Sequence, residues 1–132
     1  MVLLDTHVLV WLRAGDDRLG RGARREIDAA WQSGDVCVSS ISFWEIAMLR
    51  ERGRIRLAVE PGPWRRALLE QGVSEIPVDG GIGIRAASLD GFHADPADRL
   101  IVATALEGHR LLTADERILG WPGRLNRFNA CD

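Results

Sequence analysis

Residues 95–115 read DPADRLIVATALEGHRLLTAD, and this stretch decides the fold. A helix begins at Pro96, because proline suits the first helical position, and Gly108 stops it. The helix is apolar on most sides, which predicts that it packs against a sheet. An apolar strand over Leu111–Thr113 follows and runs into Asp115. The stretch is therefore one helix–strand unit of an α/β fold.

The rest of the chain alternates strands and helices in the same way. We predict strands over Val2–Leu4, Asp35–Ser40, Val73–Val78, Leu111–Thr113 and Leu125–Phe128. The expected helices cover Thr6–Leu12, Gly20–Ser33, Ser42–Arg52, Gly62–Gln71, Gly81–Leu89 and Asp95–Glu107. This alternation favours a parallel sheet covered on both faces. Because the 132 residues contain no repeat and no linker, we expect a single domain over residues 1–132.

Composition narrows the class of protein further. Hydrophobic residues make up 46% of the chain, which excludes a disordered protein. The apolar runs are far shorter than the ~20 residues that cross a bilayer, and no signal peptide is recognisable. Two cysteines provide no disulfide framework, so we expect a cytoplasmic protein without membrane contact. The chain has no lysine, which excludes Schiff-base chemistry and a P-loop.

Acidic side chains follow two of the predicted strands. Asp5 ends the first strand and Asp115 the fourth, while Asp98 lies in the first turn of the helix that packs on the sheet. Ligands of open parallel sheets bind beyond the carboxyl ends of the strands. A structural role is the alternative for some of these acids. Asp5 and Asp115, like Asp95 before the helix, are placed to cap the helical segments that follow them.

Glu45 is the single acid in the apolar helical stretch FWEIAML, residues 43–49. It lies three residues after Ser42, which is the spacing of a capping box. An unpaired carboxylate buried in such a helix costs several kcal/mol and needs a partner or a cation. The residues alone leave both interpretations open.

The acids Asp5, Glu45, Asp98 and Asp115 are expected at one edge of the sheet. Close carboxylates repel each other by about 4 kcal/mol per pair at an effective dielectric constant of ~20. A cluster of this kind stays ionised around a divalent cation, and all-oxygen ligands favour Mg²⁺ or Mn²⁺ over zinc. The three histidines share no ligand spacing, so we expect no zinc site.

Four blocks of the sequence resemble, in order and spacing, the signature blocks of PIN-domain ribonucleases, in particular the VapC-type toxins of bacterial toxin–antitoxin pairs. The blocks are LLDTH at 3–7, SFWEIA at 42–47, DPADRLIVATA at 95–105 and LTAD at 112–115. The resemblance covers essentially the whole chain. It implies a three-layer PIN-like α/β fold with a parallel five-stranded sheet, order 3-2-1-4-5, flanked by helices. It also implies an endoribonuclease that depends on Mg²⁺ or Mn²⁺.

The resemblance also assigns roles to individual side chains. Asp5, Glu45, Asp98 and Asp115 are implied as the catalytic and metal-binding residues, with Glu45 orienting or deprotonating the attacking water or holding a second ion. Supporting or substrate-binding roles are expected for Thr6, Thr113, Asp95, Arg50 and Arg54. For the two arginines, the alternative is a solvated helix end.

Partners follow from the same resemblance. We expect a homodimer that binds RNA as substrate and a cognate VapB-type antitoxin as inhibitor. The antitoxin would lay an amphipathic helix into a groove at Trp11, Trp44 and Met48, where neighbouring helices are expected to expose an apolar patch. The net charge of −2 and the lack of a DNA-reading motif predict that DNA is bound only through the antitoxin.

Two other functions are weighed against this one. A phosphatase of the haloacid dehalogenase kind has Asp-x-Asp after the first strand, whereas this chain has Asp5-Thr6-His7. A non-catalytic interaction or regulatory domain, such as a response-regulator receiver, uses an acidic pair together with a lysine, which this chain lacks.

Overall fold

The computed structural model describes residues 1–132, which form five strands and seven helices. The strands are β1 (Val2–Leu4), β2 (Val36–Ser39), β3 (Ser74–Ile76), β4 (Arg110–Thr113) and β5 (Arg127–Asn129). The helices are α1 (Thr6–Ala14), α2 (Arg21–Gln32), α3 (Ser40–Glu51), α4 (Pro61–Glu70), α5 (Gly80–Ala87), α6 (Pro96–Ala105) and α7 (Glu116–Leu119). Each predicted strand and helix is present, with its ends within two residues of the predicted ones.

All strands of the sheet are parallel, in the order β3-β2-β1-β4-β5, which confirms the expected topology. The short strand β1 is central and pairs with both β2 and β4, with Leu4 opposite Leu112 in the latter pair. The chain builds outward from β1 to β3 on one side and then crosses to β4 on the other. The crevice between the ends of β1 and β4 is therefore the place where a parallel sheet binds ligands.

Apolar side chains cover both faces of the sheet. Leu4 belongs to a core shared with buried residues of α1, α2, α3 and α4. Its neighbour Leu3 points to the opposite face, as alternation along a strand requires, and packs with Ile101 and Val102 of α6. The longest helices have 12 residues, which is too few to cross a bilayer.

The helix α3 begins two residues earlier than predicted. Its N-cap is Ser39, at the end of β2, whose hydroxyl accepts a hydrogen bond from the amide of Ile41 (3.2 Å). Ser42 is buried inside the helix, and its hydroxyl instead accepts from Thr6 Oγ1 (2.9 Å). The capping-box interpretation of Glu45 is therefore wrong, because Glu45 lies in the second turn and not the first.

The expectation that Trp11 belongs to an exposed patch is also wrong. Trp11 lies one turn after Val8 on the buried face of α1, and only 9% of its surface is exposed. The guanidinium of Arg18 covers its ring at 4.9 Å from the centroid. Trp44 on α3 is 55% exposed, while Met48 is half-buried.

Candidate active site

The carboxyl ends of β1 and β4 bring Asp5 and Asp115 to the same edge of the sheet. Asp5 caps α1, with its Oδ1 accepting from the amide of Thr6 (2.8 Å). Asp115 caps α7, with its Oδ1 accepting from the amides of Arg117 (2.8 Å) and Ile118 (3.3 Å). Both residues thus have the capping role that the sequence analysis gave as an alternative. Capping also fixes the direction of each carboxylate.

A buried threonine links these two acids. Thr113 Oγ1 donates to Asp5 Oδ2 (2.6 Å) and accepts from the amide of Asp115 (3.1 Å). Thr6, the other threonine with a predicted role, is buried too and donates to Ser42. The Thr113 hydroxyl therefore supports the acids, and the Thr6 hydroxyl joins α1 to α3. Neither threonine is exposed to solvent.

The first turn of α6 positions a third acid. Asp95 is the N-cap, accepting from the amides of Ala97 (3.0 Å) and Asp98 (3.4 Å), and Pro96 occupies the first helical position as predicted. Asp98 is only 7% exposed. Its Oδ2 lies 2.7 Å from His93 Nε2, a hydrogen-bonding distance.

These side chains meet in a cavity of about 270 Å³, which we call the acidic cavity. Its lining residues are Asp5, His7, Trp11, Glu45, Asp95, Asp98, Ala114, Asp115 and Arg117. The structure therefore brings together the four acids that the sequence singled out, although two of them follow β1 and β4, the other two lie in α3 and α6, and the set spans more than a hundred residues of the chain.

The two arginines with predicted substrate roles lie outside the acidic cavity. Arg50 pairs with Glu60 (2.8 Å). Arg54 lines a second cavity of about 510 Å³ that shares His7 and Trp11 with the acidic cavity. A contact between Arg54 and a substrate phosphate stays a prediction, whereas Arg50 is already engaged by a carboxylate.

The acids of the cavity are not electrostatically equivalent. Burial raises the pKa values of Asp5 and Glu45, and it raises the pKa of Asp98 to about 6, with neighbouring carboxylates adding to the effect. Burial acts in the same direction on Asp115, but hydrogen bonds from Arg117 outweigh it and hold the pKa of Asp115 below its ordinary value. Asp5, Glu45 and Asp98 therefore take up a proton more readily than ordinary carboxylates, whereas Asp115 ionises more readily.

Sequence reasoning missed two basic side chains of this site. His93, from the loop before α6, reaches Asp98 and stacks on Phe92 with ring centroids 4.3 Å apart. The spacing of His93 from the acids in the sequence does not indicate a role at this site. Arg117 folds back onto Asp115, and its position two residues after an aspartate was a usable signal, because the pair Asp16–Arg18 has the same spacing and also forms a salt bridge.

The chemistry of the donor set fits a divalent cation. Ligand atoms of His93, Asp98 and Asp115 lie within 4.8 Å of one another, and the remaining acids of the cavity are carboxylates too. Carboxylate oxygens suit Mg²⁺ or Mn²⁺, and a cation would favour the ionised form of acids whose pKa values are raised by burial and, to a lesser extent, by mutual repulsion.

The raised pKa of Asp98 predicts that Asp98→Asn stabilises the metal-free protein near neutral pH. Because the pKa is about 6 in the folded protein and ordinarily 3.8, the folded state binds more protons between these values. Stability therefore falls as pH rises from about 4 to about 6 and stays low above that range. One pKa unit corresponds to about 1.4 kcal/mol, so the cost at neutral pH is of order 2–3 kcal/mol.

Urea unfolding in a chelating buffer at pH 4 and pH 7.5 measures this effect. The variant should be close to wild type at pH 4 and more stable at pH 7.5. Asp17→Asn removes the same charge from an exposed position and should shift neither midpoint. Equal stability of Asp98→Asn and wild type at pH 7.5 would contradict the raised pKa of Asp98.

Comparison with known proteins places the chain in a family. Residues 2–120 match the PIN domain, and the protein belongs to the PIN-domain family, as the signature blocks indicated. It is 40% identical over 119 residues to Ribonuclease VapC22 of Mycobacterium tuberculosis, which covers 89% of this chain and 88% of that protein.

Two solved structures share the fold. One is a toxin–antitoxin complex from Klebsiella pneumoniae, with a TM-score of 0.66, 22% identity and coverage of 98% of both chains. The other is FitAB bound to an IR36 DNA fragment, with a TM-score of 0.62, 19% identity and coverage of 100% of this chain and 96% of that one. At these identities the two structures establish the shared architecture.

Proposed function

We propose that this protein is a metal-dependent endoribonuclease of the VapC type, acting in the cytoplasm as the toxin of a toxin–antitoxin pair. The observation that carries the proposal is the convergence of Asp5, Glu45, Asp98 and Asp115 in one acidic cavity at the crevice between β1 and β4. The 40% identity to a protein named Ribonuclease VapC22 supports RNA as the substrate.

The cavity suits hydrolysis of a phosphodiester. Asp5, Asp98 and Asp115 would hold Mg²⁺ or Mn²⁺, which lowers the pKa of water and offsets charge on the phosphate. Thr113 orients the Asp5 carboxylate by donating to its Oδ2, and its hydroxyl also accepts from the backbone amide of Asp115. Glu45 lies among the acids with a raised pKa, which suits a group that takes the proton of the attacking water.

The expected reaction determines the ends of the products. The water oxygen forms a bond to phosphorus, the bond from phosphorus to the 3′ oxygen breaks, and that oxygen takes up a proton. The fragments therefore carry a 5′-phosphate and a 3′-hydroxyl.

Incubating the purified protein with total RNA and Mg²⁺ or Mn²⁺, and mapping the ends, tests the proposal. Discrete fragments with ligatable 5′-phosphates are expected. Fragments ending in 2′,3′-cyclic phosphate would contradict it, because they arise when the 2′-hydroxyl of the RNA, and not water, attacks. Intact RNA in both metals would contradict it as well.

We further propose a homodimer that binds a VapB-type antitoxin. The support is the 55% exposed Trp44, with the half-buried Met48 one turn later on α3, together with the likeness to the toxin–antitoxin complex. Because Trp11 is buried, the proposed antitoxin groove is centred on Trp44 and Met48 alone.

Light scattering should show a dimer at micromolar concentration, and Trp44→Ser should weaken binding of the antitoxin about tenfold or more, as loss of a tryptophan anchor does. DNA binding is expected of the complex and not of the isolated chain. A monomer at high micromolar concentration would contradict the dimer, and tight operator binding by the isolated chain would contradict the proposed division of roles.

A further inference from the structure

We propose that Arg117 binds the substrate phosphate in the acidic cavity, and that in the metal-free protein it bridges two of the acids instead. This inference rests on the proposed function and deepens it, since it assigns the group that receives the RNA backbone. Arg117 lies outside the set of residues that the sequence singled out.

The bridge is visible in the contacts of the guanidinium. One terminal nitrogen of Arg117 lies 3.2 Å from Asp115 Oδ2 and 3.4 Å from Asp98 Oδ2. The Nε atom lies 3.4 Å from Asp115 Oδ1. The guanidinium thus lies across two acids that come from different parts of the chain.

The backbone of Arg117 is fixed while its side chain is free to move. Its amide donates to Asp115 (2.8 Å), and the next residue, Ile118, is fully buried in the core. The side chain itself is 59% exposed. A rotamer change therefore suffices to carry the guanidinium from the acids to a ligand at the mouth of the cavity.

His93 shows the contrast. It contacts the same oxygen, Asp98 Oδ2, at the shorter distance of 2.7 Å, and its side chain is only 17% exposed. Its ring is also stacked on Phe92. His93 is therefore a fixed partner that positions Asp98, whereas Arg117 is the exchangeable one.

Charge explains why an arginine is needed here. Five carboxylates line the acidic cavity, and Arg117 is the only arginine or lysine among its lining residues. A single divalent cation leaves the cavity negative, so it still repels a phosphate. A guanidinium offers two parallel N–H donors that match the oxygens of a phosphate, which suits Arg117 to this task.

The two roles of Arg117 affect the binding of the metal and the binding of RNA in opposite directions. A cation bound by Asp98 and Asp115 would compete with the guanidinium for the same carboxylates, so Arg117 weakens cation binding in the free protein. An RNA phosphate, in contrast, gains the Arg117 guanidinium as a hydrogen-bonding partner, so Arg117 strengthens RNA binding. Removing the side chain is therefore expected to strengthen the binding of the metal and to weaken the binding of RNA, and a purely structural role would not produce this pair of effects.

The test uses Arg117→Gln, with Arg117→Lys as the variant that keeps the charge. Calorimetric titration of the RNA-free protein with Mn²⁺ should show about fivefold tighter binding for Arg117→Gln, the effect expected from removing one nearby positive charge. Kinetics at saturating Mn²⁺, on a short RNA spanning a mapped cleavage site, should show a KM raised about 10- to 100-fold, as for a lost charged hydrogen bond. Arg117→Lys should lie between Gln and wild type in both measurements.

Arg124→Gln is the matched control, because Arg124 is exposed and forms no ion pair. It should leave Mn²⁺ affinity and KM unchanged. Unchanged or weaker Mn²⁺ binding by Arg117→Gln would overturn the bridge, and an unchanged KM would overturn the phosphate contact. If wild type cleaves no RNA, the proposed function fails and the phosphate contact with it, while tighter Mn²⁺ binding would still establish the bridge.

Discussion

Replacing Asp5 by asparagine is expected to reduce RNA cleavage by about 10²-fold or more, because it removes one of the carboxylates that would hold the metal. Asp5 is 6% exposed, lies at the end of the central strand and lines the acidic cavity. Asparagine keeps the size of the side chain and caps a helix nearly as well, so the fold should persist. The variant loses the negative charge that would hold a cation, and its NH2 group can no longer accept the hydrogen bond from Thr113.

Cleavage of a mapped RNA by equal amounts of folded protein measures the loss. Asp95→Asn is the informative control, because Asp95 lines the same cavity and caps α6, a role that asparagine also fills. Its effect should be much milder. An Asp5→Asn protein that cleaves RNA like wild type would remove Asp5 from the site.

Excess EDTA is expected to abolish cleavage completely, and added Mg²⁺ or Mn²⁺ to restore it. The reason is electrostatic: with the buried acids uncompensated, the cavity repels the phosphate it must bind. Mn²⁺ should also raise the melting temperature of wild type, since a ligand that binds only the folded state stabilises it. Asp98→Asn should lose most of this increase.

Circular dichroism in EDTA is the necessary control, because loss of structure would abolish activity for a different reason. The core is built from apolar side chains and does not include the acids of the cavity, so the spectrum should not change. Undiminished cleavage in excess chelator would exclude a metal-dependent site.

The sequence predicted the fold well because its signals are local. Gly108, Pro96 and the apolar run of β4 each mark a boundary through backbone conformation or periodicity. The adjacency of β1 and β4 is different, since it depends on pairing between distant segments. Periodicity alone does not predict which strands are neighbours, so the pairing of β1 with β4 was predicted from the resemblance to PIN domains.

The errors have one physical cause, which is that tertiary contacts decide between local alternatives. Ser42 had the spacing of a cap, but Ser39 at the end of β2 takes that position and leaves Ser42 to bond with Thr6. Trp11 looked like a surface residue of a short helix and is buried by α1 packing into the core. His93 acquires its role only through the fold of the loop before α6.

The central position of β1 has a consequence for synthesis of the protein. The strand that carries Asp5 gains its second neighbour only through β4, and the hydrogen bond from Thr113 to Asp5 spans 108 positions in the chain. At ~5–20 residues per second, a ribosome needs on the order of 5–20 s to pass from the first acid to the last. During that interval the nascent chain has neither a complete sheet nor a complete set of acids, so the proposed cleavage of RNA cannot begin before Asp115 has been added.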